Sequence, residues 1–212
     1  MEPQGPRQPD GGTRERLLAA GLRLFAERGF DAVRVGDIEQ AAGLVPRRGA
    51  MYRHFKSKEA LLAAAVESHL VSVAEARAQY AGDSERFVAS AEQLGAFVLA
   101  EMDRQQLITH VLERDGNRLV ELRDRFRQDV SDAGYRAMTE VVRAWLSSTR
   151  PAVDARLADA VAVHLLGAMI NARRSTWTLG APPFGLTDAE LVTAWAALCE
   201  GWVAGQSATD TA

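Results

Sequence analysis

Only one of the 212 residues is a cysteine, Cys199, so no intramolecular disulfide can form and the chain suits a reducing, cytoplasmic setting. Cys199 lies in the apolar run "ELVTAWAALCEGW", the setting of a buried structural thiol rather than a reactive one. Long apolar runs are also missing. The longest, "ADAVAVHLLGAMINA", is interrupted by His164 and is too short to cross a bilayer, so no membrane partner is expected. The N-terminal "MEPQGPRQPDGG" has no apolar centre for a signal peptide and reads as a flexible arm over residues 1–12.

Catalytic patterns are absent as well. The four histidines at 54, 69, 110 and 164 and the lone cysteine show neither H-E-x-x-H nor C-x-x-C spacing, and no serine stands in a nucleophile elbow. No glycine-rich loop is present to cradle a phosphate, and Glu121 with Asp124 read as solvated helix charges. No catalytic residue, metal site or cofactor is expected, and the chain does not read as an enzyme.

What the sequence does have is an uneven charge. The net charge is −3, yet residues 1–60 carry eleven Arg and Lys against eight Asp and Glu, and the remainder fourteen against twenty. A basic N-terminal segment on an acidic body suits a protein of which one part meets a polyanion and the other repels it. The cations concentrate in "AAGLVPRRGAMYRHFKSKEALL", where Arg47, Arg48, Arg53, Lys56 and Lys58 stand within twelve residues without an acid among them.

Helical signals dominate the chain, and the fold class is all-α. Thr13 is a candidate N-cap, with Leu18, Leu22 and Phe25 on one face and Gly29 as C-cap, which predicts a first helix over about 13–28. Val35, Ile38 and Ala42 predict a short second helix over 35–42, followed by a turn at Gly43. Pro46 suits the first turn of a third helix, in which Met51 and Phe55 point inward and Arg47, Arg48, Ala50, Tyr52, Arg53 and His54 face outward. Ser57 caps a fourth helix whose Leu62, Val66, His69 and Val73 share a stripe.

Helix, short helix, glycine-containing turn and basic helix is the order of a helix-turn-helix, whose second helix lies in the major groove of double-stranded DNA. Arg47 and Arg48 are then placed for guanine edges, and Tyr52, His54, Lys56 and Lys58 for backbone phosphates. Five uncompensated cations on one short segment argue against the alternative of a helical small-molecule sensor or adaptor that works through protein contacts alone.

"TRERLLAAGLRLFAERGF", "VGDIEQAAGL" and "GAMYRHFKSKEALL" resemble the N-terminal domain of TetR/AcrR-family transcriptional regulators over about residues 13–62. The resemblance implies an all-helical homodimer of nine or ten helices per chain. It divides the chain into a DNA-binding domain at 13–58, a domain at 59–206 that binds a small-molecule effector and dimerises, and a tail at 207–212. It implies a repressor released by its effector from a pseudo-palindromic operator; Gly49, Ala50 and Arg53 join the expected DNA-contacting set, as does Arg34, whose guanidinium could hold a phosphate.

Three departures from the family pattern stand out. Two extra residues between Gly43 and Tyr52 either lengthen the turn or add half a turn to the recognition helix. Arg34 stands where a capping Ser or Thr is usual, which removes a cap worth about 1 kcal/mol. Glu39 replaces a small residue, and an acid there needs a partner such as Arg47 or Arg48.

Beyond Glu59 the breaks are "AGDSE" at 81–85, "RDGN" at 114–117, "SSTRP" at 147–151 and "TLGAPPFGL" at 178–186, with a capping box Thr187/Glu190 opening the last helix. The resemblance assigns helices at about 154–177 and 188–204 to a dimer interface. Leu157, Val161, Leu165 and Ala168 on one, and Leu191, Trp195, Leu198 and Trp202 on the other, form matching apolar stripes, which an intrachain core would also produce. Candidate effector-pocket residues are Phe97, Met102, His110, Phe126, Tyr135, Met138, His164 and Trp177, apolar lining with a few polar handles.

Overall fold

The computed structural model describes residues 11–82, 84–147 and 154–208. Nine α-helices run through them: α1 (Gly11–Arg28), α2 (Val35–Ala41), α3 (Lys58–Gly82), α4 (Ser84–Ala89), α5 (Ala91–Asp115), α6 (Val120–Phe126), α7 (Ala133–Ser147), α8 (Ala155–Leu179) and α9 (Asp188–Ala208). No strand occurs among the described residues, so the all-α expectation holds. The chain packs as two compact units: one holds the residues up to Ser72 with Leu107–Asp124, the other Val73–Gln106 with Arg125 onward. Helices α3 and α5 therefore contribute residues to both units.

In the first unit, α1 buries Leu17, Leu18, Leu24 and Phe25, while Leu22 is half-buried. Ile38 of α2 and Leu61, Leu62, Ala65 and Val66 of α3 are buried too, each large side chain contributing about 1.5–3 kcal/mol. Gly21 marks a close approach: a Cβ there would lie 2.4 Å from Leu61 Cδ2, so any larger residue requires the buried Leu61 side chain to shift. Thr13 is not the N-cap. Helix α1 already includes Gly11 and Gly12, which shortens the expected arm, and the rest of that arm lies outside the described residues. Gly29 does end α1 with φ +83°, its N–H donating to Phe25 O at 2.9 Å.

The missing cap at Arg34 is supplied from the other direction. Arg34 N–H donates to Asp37 Oδ2 at 3.1 Å, the reciprocal half of a capping box, so α2 starts without a Ser or Thr. Ser57 behaves as expected, its hydroxyl accepting from Ala60 N–H at 3.1 Å. Its hydroxyl and the Glu59 amide also hold the Glu59 carboxyl below the usual carboxylate range, the amide first in effect.

The second unit has one contiguous core built from Leu94, Val98 and Leu99 of α5, Met138, Val141, Val142 and Leu146 of α7, Ala158, Ala162, Leu166 and Met169 of α8, and Val192, Trp195, Ala196 and Cys199 of α9. Two indoles are fixed by their N–H groups: Trp145 donates to Val88 O at 2.8 Å and Trp195 to Leu165 O at 2.9 Å. Burial pushes the Cys199 thiol up to about 12, in keeping with a structural cysteine. Thr187 N–H donates to Glu190 Oε2 at 2.8 Å and Glu190 N–H to Thr187 Oγ1 at 3.3 Å, the capping box read from "TDAE".

The helix α8 is longer than its apolar run suggested. At 25 residues, Ala155–Leu179 is long and apolar enough to cross a membrane by length and composition, with 22% of that window buried. Asp154 caps it, accepting from Arg156 N–H at 2.9 Å, and Gly180 ends it with φ +76°. Residues 148–153, which hold most of the "SSTRP" break, and the tail at 209–212 lie outside the described residues, while 207 and 208 are helical.

Candidate nucleic-acid interface

The segment from Gly43 to Phe55 does not fold as the helix expected from Pro46. Residues 46–50 form an irregular turn, and only Met51–Arg53 make a single 3-10 turn before α3 begins. The two extra residues thus lengthen the turn. Arg47 takes φ +63° and Gly49 φ +69°, left-handed values that are incompatible with a helix running through them. Arg47 pays a strain that glycine does not, and something in the fold must offset it.

Glu39 supplies that offset. It is 0% exposed, and its carboxylate accepts the Arg47 N–H at 2.7 Å through Oε2 and the Met51 N–H at 3.0 Å through Oε1. The acid on α2 is therefore matched by two backbone donors, not by an arginine side chain as the sequence suggested. Charge-assisted bonds of this kind are about twice as strong as neutral ones, and a buried carboxylate persists only when satisfied so.

Met51 and Phe55 are buried, as their spacing predicted, and anchor the segment from below. Above them Arg47, Arg48, Tyr52, Arg53 and Lys56 are exposed, Tyr52 by 59%, and Gly49, Ala50 and His54 are half-buried. Arg34 is exposed at the start of α2. Arg14 of α1 lies over the Phe55 ring at 5.4 Å, a basic group that the sequence reading did not assign to this surface. The surface is anchored by buried apolar side chains and presents guanidinium donors and one phenol, chemistry suited to phosphate oxygens and guanine edges.

Lys58 takes a different part from the phosphate contact expected of it. Its Nζ donates to Phe30 O at 2.6 Å and Val33 O at 2.9 Å and stands 4.2 Å from the Phe30 ring centroid. Two carbonyls that follow α1 thus draw the ammonium inward. The same loop is gripped by a group that sequence reasoning missed. The Asp115 carboxylate at the end of α5 accepts the Phe30 N–H at 2.9 Å, and Arg118 pairs with Asp31. Residues 85 positions apart gave no local signal for this bond.

The expected effector-pocket residues take different environments. Met138 is core, Phe97, Met102 and Tyr135 pack against that core, and Phe97 pairs with Phe87 at 5.3 Å. His164 is exposed on α8, while Trp177 and Phe126 are half-buried; His110, half-buried as well, belongs to the first unit. A cleft of about 480 Å³ lies elsewhere, lined by Glu92, Ala96, Leu99, Asp103, Arg173, Asp188 and Val192 among others. Arg173 there is neutralised by Asp188, at 2.8 and 3.0 Å, and Asp103, at 3.1 Å. Those contacts, the Asp188 bonds first, raise its pKa further.

The expected interface stripes divide. Trp195, 4% exposed, is core, which explains its indole bond to Leu165 O, while Val161, Leu165 and Trp202 lie half-buried against the same core and Leu191 is also half-buried. Leu157, Ala168 and Leu198 are exposed, Leu198 by 69%, and Val163 is exposed on another face of α8. Among the described residues no group of three or more His, Cys, Asp or Glu is placed to hold a metal ion.

Residues 17–65 match the family model described as "Bacterial regulatory proteins, tetR family". Over 62 residues the chain is 42% identical to the HTH-type transcriptional repressor KstR2 of Mycolicibacterium smegmatis, covering 29% of each chain. Over 68 residues it is 37% identical to the HTH-type transcriptional regulator AcrR of Shigella flexneri, covering 32% of this chain and 31% of that one. The chain thus spans less than a third of the length of these curated relatives. A solved TetR-like transcriptional regulator from Rhodococcus sp. RHA1 shares the fold with a TM-score of 0.66 at 18% identity, covering 94% of this chain and all of the other.

Proposed function

We propose a function from the membership that residues 17–65 carry: the chain is a tetR-family regulatory protein, and it acts as a sequence-specific DNA-binding regulator of transcription. The observation that carries this reading is the turn at residues 46–56. There Arg47, Arg48, Tyr52, Arg53 and Lys56 stand exposed over the buried Met51 and Phe55. Phosphate contacts supply affinity, and Arg47 and Arg48 supply base preference from an extended turn rather than from a helix start.

The exposed Leu157 and Ala168 on one face of α8 and Leu198 on α9 support a homodimer formed through these two helices, since exposed apolar side chains on them call for a partner. The same pairing accounts for the apolar outer face of α8 without a membrane, in a protein that works in the cytoplasm. Two copies then read two half-sites of a pseudo-palindromic operator about one helical turn apart. A small-molecule effector bound within the second unit acts as the releasing signal of a repressor. Its influence travels along α5, whose terminal Asp115 holds the loop after α1, and a coupling of about 1–3 kcal/mol would lower operator affinity about 5- to 150-fold.

The test is selection of bound sequences from a random duplex pool at two salt concentrations. An enriched inverted repeat supports specific dimeric reading. Binding that is salt-sensitive but indifferent to sequence reduces the basic turn to a phosphate surface and removes the regulator reading.

A further inference from the structure

The donors that begin a 3-10 or α-helix ordinarily offer a ready site for an anion, and a basic turn leading into one would be expected to hold a DNA phosphate with its main chain. In this chain that position is already filled. The N–H of Met51, first residue of the 3-10 turn, and the N–H of Arg47 both point down onto the Glu39 carboxylate, which is fully buried. From the DNA-binding reading above and this geometry, we infer that Glu39 is the positioning residue for sequence preference. It holds the lengthened turn in one conformation, fixes Arg47 in its left-handed backbone, and so aims the Arg47 and Arg48 side chains, leaving recognition to side chains alone.

Three features of the turn support this. Arg47 occupies a backbone region that a non-glycine residue adopts only when its surroundings impose it, and the 2.7 Å bond from its own amide is the contact that does so. The two bonds from one carboxylate span Arg47 to Met51, the stretch that holds Arg48, Gly49 and Ala50, so a single side chain closes the loop at both ends. The turn also lies on α2: Pro46 Cβ and Arg47 Cγ would each stand 3.9 Å from a Cβ on Gly36, so the first turn of α2 and Glu39, three residues later and on the same side of the helix, form one cradle.

The inference is tested with full-length Glu39→Ala and Glu39→Gln, each first checked for retained helicity and cooperative unfolding. Affinity is then measured for the selected operator and for a scrambled duplex of equal length and composition. The ratio of the two affinities is expected to fall about 5- to 150-fold in Glu39→Ala, the discrimination lost when one arginine–base pairing is misplaced. The scrambled-duplex affinity and its salt slope stay where they were. Glu39→Gln keeps the volume and one acceptor and falls between the two.

The same substitution in an Arg47→Ala/Arg48→Ala background separates positioning from a general structural role. If Glu39 acts through these arginines, removing it there changes the ratio no further, whereas damage to the fold adds in full. An undiminished ratio in a folded Glu39 variant, or full additivity in the arginine-free background, overturns the inference. A wild-type protein with no preferred sequence overturns the underlying DNA-reading function instead, before any variant is made.

Discussion

Replacing Lys58 by methionine keeps the apolar stem and removes the ammonium, and it separates two roles that the sequence alone could not. In the structure Nζ donates to Phe30 O at 2.6 Å and Val33 O at 2.9 Å over the Phe30 ring. Charge-assisted bonds contribute about 1.5–3 kcal/mol each when their partners are desolvated, and a cation over an aromatic face about 0.5–2 kcal/mol. Because Lys58 is half-buried, water screens part of this, and the low end of the range applies, about 2–4 kcal/mol in all. In a protein of this size that lowers the thermal midpoint by about 4–16 °C, read by circular dichroism. A lysine on a phosphate would instead leave the midpoint in place and reduce the salt slope of DNA binding by about 0.9. An unchanged midpoint with a shallower salt slope would refute the structural role of Lys58 and return it to the DNA-contacting set.

Further outcomes follow from the same contacts. Asp115→Ala strips the acceptor from the Phe30 amide, and leaving that group unpaired costs about 1–3 kcal/mol, so its hydrogen exchange measured by NMR should accelerate about 5- to 150-fold. Leu198→Glu should give a monomer by sedimentation at micromolar concentration with protomer stability changed by under about 0.5 kcal/mol, whereas Trp195→Ala should cost the protomer about 3–5 kcal/mol. Burial lowers the pKa of His69, so the folded state takes up its proton later than the unfolded chain does. Stability should therefore fall as pH drops below about 6.5 and level off once the folded-state value is passed, a slope that His69→Leu should remove in urea titrations across that range.

The boundaries that depend on local chemistry were legible before the structure was seen. Gly29, Ser57, Thr187 with Glu190, and the break after Asp115 were all readable because a cap or a left-handed residue needs only its nearest neighbours, while the centre of the "AGDSE" break, residue 83, lies outside the described residues. The inward pair Met51 and Phe55 was readable for a related reason: four-residue spacing buries both even though only Met51–Arg53 form a 3-10 turn, since the Phe55 N–H still donates to Met51 O at 2.9 Å. The recognition segment itself was not. Pro46 signalled a helix start by its own preference, but the left-handed Arg47 is imposed by Glu39 eight residues away, and no local propensity records that bond.

The same asymmetry explains why the basic cluster was found and its members were not sorted. Charge is additive along a sequence, so five cations in twelve residues are visible at once. Whether each one faces solvent depends on what carbonyl or ring lies beneath it. Lys56 is exposed, while Lys58, two residues on, meets the carbonyls of Phe30 and Val33 and turns inward. A helical stripe has the same ambiguity. Trp195 and Leu198 stand three apart on one face of α9, yet the rotation of that helix against Leu165 buries the first and leaves the second 69% exposed. Spacing therefore selects a face, and only the neighbouring helix decides which edge of that face is core and which is left to a partner.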